Sequence, residues 1–285
     1  LQELSKSEKE KINDVYINLK KEIFGQDSVL NLIHESIMVS KTGLREDQKT
    51  QAAFLFTGPT GVGKTEVCKV LSKTLGMPLL RFDMSEYTES HSISKLIGSP
   101  PGYVGYEKGG ELTEKINEFP YAILLLDEIE KAHPQIYNIF LQMLDRGFLT
   151  DSQGREIDCR QLIVIMTSNV GAAAVQQGSI ALSDSTVSHK RTSILNSTFT
   201  PEFRNRLDAI VEFQPLSFEA SIRVVRKELN ELKLKLEYKK IDLIWNNEVE
   251  KFLYEKGFDK KMGARPLKRA VQNYVTKELA HIILS

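Results

Sequence analysis

The stretch that decides the fold is Gly58-Pro-Thr-Gly-Val-Gly-Lys64-Thr65, which matches the phosphate-loop pattern G-x-x-x-x-G-K-[ST] at every fixed position. The apolar run 52–57 leads into it as a strand, and residues 66–75 follow with apolar side chains at helical spacing. The sequence therefore predicts a strand, a glycine-rich loop and a helix whose N-terminus binds the phosphates of a nucleoside triphosphate.

The fixed residues of this loop have separate roles on a nucleotide. The glycines let backbone N–H groups close around phosphate oxygens, while Lys64 brings a positive charge to the β- and γ-phosphates. Thr65 offers its hydroxyl to Mg²⁺, so the sequence predicts ATP and Mg²⁺ as cofactors. The predicted nucleotide-binding residues here are Thr60, Gly61, Val62, Gly63, Lys64, Thr65 and Glu66.

Strand-like and helical patterns alternate on both sides of the loop. Residues 1–50 read mostly as helix, and residues 171–198 read as a long exposed loop with weak helices at its ends. Strands are predicted at 52–57, 79–83, 121–126, 162–167 and 209–213. This alternation indicates an α/β fold with a parallel sheet flanked by helices.

The pattern changes after Pro215 and becomes mostly helical. The predicted helices there are 217–238, 247–256 and 266–283, the last starting at Pro266, and only residues 240–245 resemble a strand. We therefore expect a large α/β domain, 1–214, followed by a small, mostly helical lid domain, 215–285.

Polar side chains follow two of the apolar runs. Asp127 and Glu128 would lie at the carboxyl edge of the sheet beside the phosphate loop, with Asp127 on Mg²⁺ and Glu128 as the general base for the attacking water. The alternative for this pair is a turn that caps the next helix. Asn169 could reach the γ-phosphate or orient the water. Either Arg204 or Arg206 is expected to neutralise charge in the transition state.

Composition excludes several classes of partner. Lys plus Arg and Asp plus Glu number 38 each, whereas a broad nucleic-acid-binding surface needs a basic excess, so no nucleic-acid partner is expected. The apolar runs fall far below the roughly 20 residues of a membrane span, so no membrane partner is expected either. Cys68 and Cys159 lack metal-ligand spacing, and the context is typical of a cytoplasmic protein. The chain starts at Leu1, so we expect a piece of a longer protein.

These motifs together resemble the AAA+ ATPases, and more closely the Clp/Hsp100 unfoldases. Gly25-Gln26, with Ile23 and Phe24 beside it, resembles the adenine-side motif of that family. Residues 102–105 (Gly-Tyr-Val-Gly) resemble its central-pore loop, and residues 263–266 (Gly-Ala-Arg-Pro) resemble its sensor-2 motif.

The resemblance implies an activity and an assembly. An ATP-driven protein unfoldase is expected, acting as a homohexamer in which Arg206 reaches the nucleotide of a neighbouring subunit. Arg265 would respond to hydrolysis, and Tyr103 and Val104 would grip an unfolded or tagged protein substrate.

The resemblance also implies a protease partner. The stretches 81–87 and 127–134 are similar to the second ATPase module of ClpA-type members, which points to ClpP. The docking residues would be Ile180, Ala181 and Leu182, with Ala181 standing where those members carry Gly.

Three alternatives stay open at this point. A ClpB-like disaggregase would use the same motor without a protease, and the loop containing Ile180 separates the two because only a protease partner needs such an anchor. A nucleic-acid motor or clamp loader would share the fold, although the balanced charge and residues 102–105 speak against it. A nucleotide-binding scaffold without hydrolysis is disfavoured by the presence of Lys64, Glu128 and Arg206.

Overall fold

The computed structural model describes residues 6–42, 48–99, 102, 109–170, 193–259 and 262–284. The predicted pore-loop residues Tyr103 and Val104 and the predicted docking residues Ile180, Ala181 and Leu182 lie outside these ranges. Most of the predicted loop 171–198 also lies outside them, and its last part, residues 193–198, is helical.

A five-stranded parallel sheet forms the centre of the molecule. Its strands are β1 (Ala52–Thr57), β2 (Leu79–Asp83), β3 (Ile123–Asp127), β6 (Ile163–Ser168) and β7 (Ala209–Glu212), in the spatial order β2-β3-β6-β1-β7. Every pairing between them is parallel, which confirms the predicted α/β fold. An antiparallel hairpin of β4 (Phe148–Thr150) and β5 (Glu156–Asp158) was not predicted, because three residues are too few to show an alternating pattern.

The three central strands β1, β3 and β6 are buried at every position. Their side chains alternate between two cores, one on each face of the sheet: Leu55 and Leu124 belong to one, Phe54 and Leu125 to the other. Helices cover both faces, which explains why these strands read as continuous apolar runs rather than alternating ones. The carboxyl ends of the strands therefore emerge from a densely packed layer.

Besides the helical residues 193–198, seven helices flank this sheet in the described ranges. They are α1 (Lys6–Glu22), α2 (Asp27–Lys41), α3 (Lys64–Leu75), α4 (Ile93–Ile97), α5 (Glu111–Glu118), α6 (Pro134–Arg146) and α7 (Pro201–Arg204). Helix α3 begins in the phosphate loop and ends at Gly76, whose left-handed backbone (φ 69°) closes the helix as the sequence predicted. We call residues 6–213 the sheet region.

The remaining helices form the C-terminal helical region, residues 218–284. They are α8 (Phe218–Glu237), α9 (Asn247–Gly257), α10 (Ala264–Val271) and α11 (Lys277–Leu284), with a π-helical turn Gln272–Thr276 between the last two. Their shared core consists of Val225, Leu229, Leu253, Leu267, Ala270 and Val271. Of all the helices in the described ranges, none combines the length and apolar content that crossing a membrane requires.

Two details of this region differ from the sequence-based expectation. The predicted strand 240–245 does not form, because Ile244 is exposed and the Trp245 indole donates to Glu250 Oε1 at 3.1 Å instead of facing another strand. The helix expected to start at Pro266 starts at Ala264. Proline fits inside the first turn because the N–H groups there have no intrahelical acceptor. The domain boundary at 214/215 stays a prediction.

The two regions meet at a short connection near Gln26. Its buried side-chain amide donates to the backbone oxygen of Gln214 at 2.8 Å and accepts from the backbone N–H of the same residue at 3.0 Å. A glutamine amide paired in this way imitates a strand partner. The segment that leads into the C-terminal helical region is thus connected to the loop carrying Ile23 and Phe24.

Candidate nucleotide-binding site

A cavity of about 620 Å³ opens between the carboxyl edge of the sheet and the C-terminal helical region. Residues from both regions line it, including all of the predicted nucleotide-binding, metal-binding and catalytic residues except Arg206. The predicted residues on its wall are Ile23, Phe24, Thr60, Gly61, Val62, Gly63, Lys64, Thr65, Glu66, Asp127, Glu128, Asn169 and Arg265. Its size suits a nucleotide-sized ligand.

The phosphate loop needs glycine at Gly61 for two reasons. Its φ of 74° lies in the left-handed region, and a Cβ there would stand 2.2 Å from the backbone oxygen of Met262. The approach is close because the backbone N–H of Ala264 donates to Gly61 O at 2.8 Å. The loop therefore contacts the C-terminal helical region directly, beside Arg265.

Lys64 is buried inside the loop that it completes. Its ammonium donates to the backbone oxygens of Gly58 at 2.6 Å and Pro59 at 2.8 Å, and to Asn169 Oδ1 at 3.0 Å. Burial lowers the Lys64 pKa to about 8, and the carboxylate of Glu130 is the strongest of the charges that oppose this shift. The lysine charge is thus already positioned where phosphate oxygens would enter.

Asp127, the last residue of β3, presents its carboxylate at the wall of the cavity. Its Oδ1 accepts a hydrogen bond from the Thr167 hydroxyl, and its Oδ2 lies 2.7 Å from Nη2 of Arg81. The described residues contain no cluster of three or more His, Cys, Asp or Glu side chains that would hold a metal by themselves. One carboxylate and the Thr65 hydroxyl instead fit Mg²⁺, which keeps several waters and takes further oxygens from phosphates.

Glu128 adopts an unusual backbone conformation. Its φ of 56° and ψ of 51° are left-handed, which costs a residue with a side chain about 1–2 kcal/mol. Its N–H donates to the Thr167 hydroxyl at 3.1 Å, which helps to hold this conformation. The carboxylate is paired with Lys131 through Oε2 and accepts from Asn169 Nδ2 at 3.2 Å through Oε1. Strain of this kind clusters at functional sites.

Asn169 connects the phosphate loop to the acidic turn after β3. Its Oδ1 accepts from Lys64, its Nδ2 donates to Glu128, and its backbone N–H donates to Glu130 Oε1 at 3.0 Å. The oxygen faces the ammonium and the nitrogen faces the carboxylate, so the orientation of the amide satisfies both partners. The sequence placed Asn169 at this edge but gave no hint of its backbone partner.

An apolar wall continues the cavity away from the phosphate loop. Ile23 and Phe24 lie there together with Leu216 and Val224. The Arg223 guanidinium lies over the Phe24 ring, 4.3 Å from its centroid, in a cation–π contact. Such a surface suits the flat face of a nucleobase.

The two arginines predicted to act on the transition state do not line this cavity. Arg206 Nε donates to Asp145 Oδ1 at 2.6 Å, and Nη2 lies 3.6 Å from Glu202 Oε1. Arg204 Nε donates to the backbone oxygen of Phe199 at 3.2 Å. Neither side chain serves the site of its own chain, so an action on a neighbouring subunit stays a prediction.

Several charged residues at the site were missed from the sequence. Arg81 and Lys227 line the cavity, Lys131 pairs with Glu128, and Glu130 supports Asn169. Glu130 and Lys131 directly follow the predicted catalytic pair, so their position was a usable signal. Arg81 and Lys227 depend on contacts between distant segments that no local pattern indicates.

Two family profiles match the chain. The one described as "AAA domain (Cdc48 subfamily)" matches residues 49–210. The one described as "C-terminal, D2-small domain, of ClpB protein" matches residues 216–285.

Several known proteins are similar over nearly the whole chain. A ClpA homolog protein of Fuscovulum blasticum is 49% identical over 281 residues, covering 99% of this chain and 35% of that protein. The chaperone protein ClpB of Meiothermus ruber is 42% identical over 286 residues, covering 99% and 34%. A closed-state cryo-EM reconstruction of Hsp104 with ATPγS and FITC casein superposes with a TM-score of 0.89 at 38% identity, covering 99% of this chain and 49% of that one. The chain thus spans about a third of the two relatives and about half of the Hsp104 chain.

Proposed function

This chain belongs to the Clp/Hsp100 family of AAA+ ATPases, as a C-terminal ATPase module, and we propose that it is the ATP-hydrolysing motor of a ring-forming protein unfoldase. The observation that carries the proposal is the continuous connection from Lys64 through Asn169 to Glu128. It joins a phosphate-binding ammonium to a carboxylate suited to general-base catalysis at one wall of one cavity.

The residues of the site divide the work of hydrolysis. Lys64 and the backbone N–H groups of the loop bind the phosphates of ATP, while Ile23 and Phe24 hold the base. Mg²⁺ held by Thr65 and Asp127 would neutralise charge on the β- and γ-phosphates. Glu128 takes the proton of the attacking water, and Asn169 orients this water beside the γ-phosphate.

The remaining residues couple the site to a ring. We assign Arg206 to the nucleotide of the neighbouring subunit in a homohexamer, because Arg206 does not line the nucleotide cavity of its own chain. Arg265 contacts the bound nucleotide from the C-terminal helical region. The neighbouring residue Ala264 donates its backbone N–H to Gly61 O in the phosphate loop. This direct link supports a change of angle between the two regions after hydrolysis. Tyr103 and Val104 would then move an unfolded protein segment through the pore.

The destination of the unfolded protein has two candidates. The sequence favoured transfer to the ClpP protease, and the 49% identity to a ClpA homolog protein supports it. A disaggregase chaperone that works without a protease is supported equally or better, by the ClpB profile over residues 216–285, the ClpB relatives and the Hsp104 structure. We therefore propose the unfoldase motor itself, in a cytoplasmic protein, and treat the two destinations as outcomes of one experiment.

The motor is tested with Lys64→Ala in the full-length protein. This variant should lose ATP binding by calorimetry and all unfolding of a stable tagged substrate, because the phosphates lose their lysine partner. Near-normal ATP affinity would contradict the assignment of the site. Tyr103→Ala should keep ATPase activity and stop unfolding, whereas an equal loss of both would make Tyr103 structural.

The destination is tested by adding ClpP, or an aggregated protein, to the wild type. ATP-dependent degradation that disappears in the double variant Ile180→Ser and Leu182→Ser would establish the protease partner, since docking rests on about 1.5–3 kcal/mol of apolar burial per side chain. Reactivation of the aggregate without any degradation would establish the disaggregase.

A further inference from the structure

We propose that Glu130 is a positioning residue for ATP hydrolysis, which acts by holding the backbone of Asn169 throughout the catalytic cycle. The proposal rests on the role given above to Asn169 at the γ-phosphate. Glu130 does not line the cavity, so it acts through Asn169 rather than on the nucleotide.

The backbone of Asn169 lies beyond the support of the sheet. The pairing of β6 with β1 ends at Ser168, and its pairing with β3 ends at Met166. Asn169 is therefore the first residue beyond both strand pairings of β6. The carboxylate of Glu130 accepts a hydrogen bond from its N–H at 3.0 Å.

The hydrogen-bond partners of the Asn169 side chain take part in ATP binding or hydrolysis themselves. Lys64 would donate hydrogen bonds to the phosphates when ATP enters, and Glu128 would release the Asn169 amide to take a proton from water. Thr60, at 3.5 Å from Oδ1, belongs to the loop that closes around the nucleotide. Glu130 alone among these described partners has no such duty, so its hydrogen bond can persist while the others are exchanged.

The same short turn carries both carboxylates. Glu128 precedes the 3-10 turn Ile129–Lys131, and Glu130 lies at its centre. The two side chains therefore reach Asn169 from one rigid segment, one at the amide and the other at the backbone. This arrangement fixes the distance between the base and the residue that orients its water.

The charges nearby explain why the carboxylate of Glu130 can be buried beside Asn169. Glu130 Oε2 is buried and has no hydrogen-bond partner among the described residues. A buried charge without compensation is costly, yet the ammonium of Lys64 lies close enough for the two charges to interact. The carboxylate is thus part of the site's charge balance as well as a backbone acceptor.

The test is a double-mutant cycle between Glu130 and Asn169, measured as steady-state ATPase in the full-length protein. Asn169→Ala should lower kcat about 100-fold and Glu130→Ala about 10-fold, with KM within about threefold. The double variant should be no slower than Asn169→Ala alone. Losses that multiply to about 1000-fold would mean that Glu130 acts independently, and would overturn the proposal.

Glu130→Gln distinguishes the hydrogen bond from general damage. The amide oxygen keeps an acceptor for the Asn169 N–H, so kcat should fall less than about threefold. Hydrogen exchange at the Asn169 amide gives a readout apart from activity: it should accelerate in Glu130→Ala and stay near wild type in Glu130→Gln. Equal kinetic losses or equal exchange in the two variants would overturn the proposal.

Asp151→Ala is the matched control. Asp151 also accepts hydrogen bonds from backbone N–H groups, those of Gln153 and Arg155, but it lies outside the cavity. Its removal should therefore leave the ATPase kcat unchanged. If Asn169→Ala leaves kcat intact, the proposed role of Asn169 fails and this proposal fails with it. If Asn169 matters and the Glu130 effects multiply, the motor assignment stands and only this proposal fails.

Discussion

The sheet region and the C-terminal helical region differ in how much apolar surface they bury. The sheet region has a core on each face of β1, β3 and β6, whereas the helical region has one small core and leaves Tyr238, Ile244 and Leu284 largely exposed. The residues assigned to bond breaking all lie in the sheet region. The helical region contributes Arg265 to the cavity wall, and the change of angle proposed for this region would leave the geometry of the catalytic residues in place.

Arg206→Ala should have the largest effect, because it removes the group assigned to a neighbouring subunit. Turnover should fall roughly 10³-fold, about 4 kcal/mol of transition-state stabilisation, while ATP binding is retained. The measurement is steady-state ATPase beside calorimetry. Arg204→Ala is measured beside it, because Arg204 is the competing candidate for this role, and a larger loss of turnover in that variant would move the assignment from Arg206 to Arg204.

Mixing variants tests whether Arg206 acts between chains. Rings that combine Arg206→Ala with Glu128→Gln subunits should recover some activity, because an intact Arg206 and an intact Glu128 then meet at some boundaries. No recovery in rings shown to be mixed would assign Arg206 a role within its own chain.

Glu128→Gln should come next, with turnover about 10²-fold lower and ATP affinity unchanged. The amide cannot accept a proton from water, whereas Thr65 and Asp127 stay available for Mg²⁺. Single-turnover hydrolysis measures the chemical step directly. A fall of less than about tenfold would identify a different base and weaken the claim that the sheet region alone carries the chemistry.

Leu253→Ala tests the other side of the comparison. Leu253 is fully buried in the core of the helical region, and its truncation should cost about 2–3 kcal/mol, near the low end for buried leucine because a small core can partly collapse. Hydrogen exchange should accelerate in residues 247–284 and stay unchanged in β3 and β6. Leu144→Ala, in the core of the sheet region, should show the reverse. Equal loss of protection in both regions would show that they unfold as one unit.

The sequence predicted what local patterns encode. The central strands were predicted to within two residues because their apolar runs are continuous, and Lys64, Asp127 and Asn169 followed from where those runs stop. It did not predict contacts that depend on pairing across the chain. Glu130 meets Asn169 across 39 residues, and Arg81 meets Asp127 across 46. Such partners are brought together by the order of the strands in the sheet, and the periodicity of the sequence does not predict that order.

Lys227→Met should have the smallest effect and concerns the contact between the regions. Lys227, on α8, lies 2.6 Å from Glu22 Oε2 and 3.5 Å from Glu66 Oε1, both in the sheet region at the edge of the cavity. Methionine keeps most of the unbranched side chain and removes the charge. The loss of a partly buried ion pair is worth about 1 kcal/mol, so the Kd for ATP should rise about fivefold with kcat unchanged.

The control is Lys233→Met, because Lys233 pairs with Asp242 at 3.0 Å inside the helical region and its replacement should leave the Kd for ATP unchanged. Should both variants weaken ATP binding equally, general surface charge rather than this contact would set the affinity.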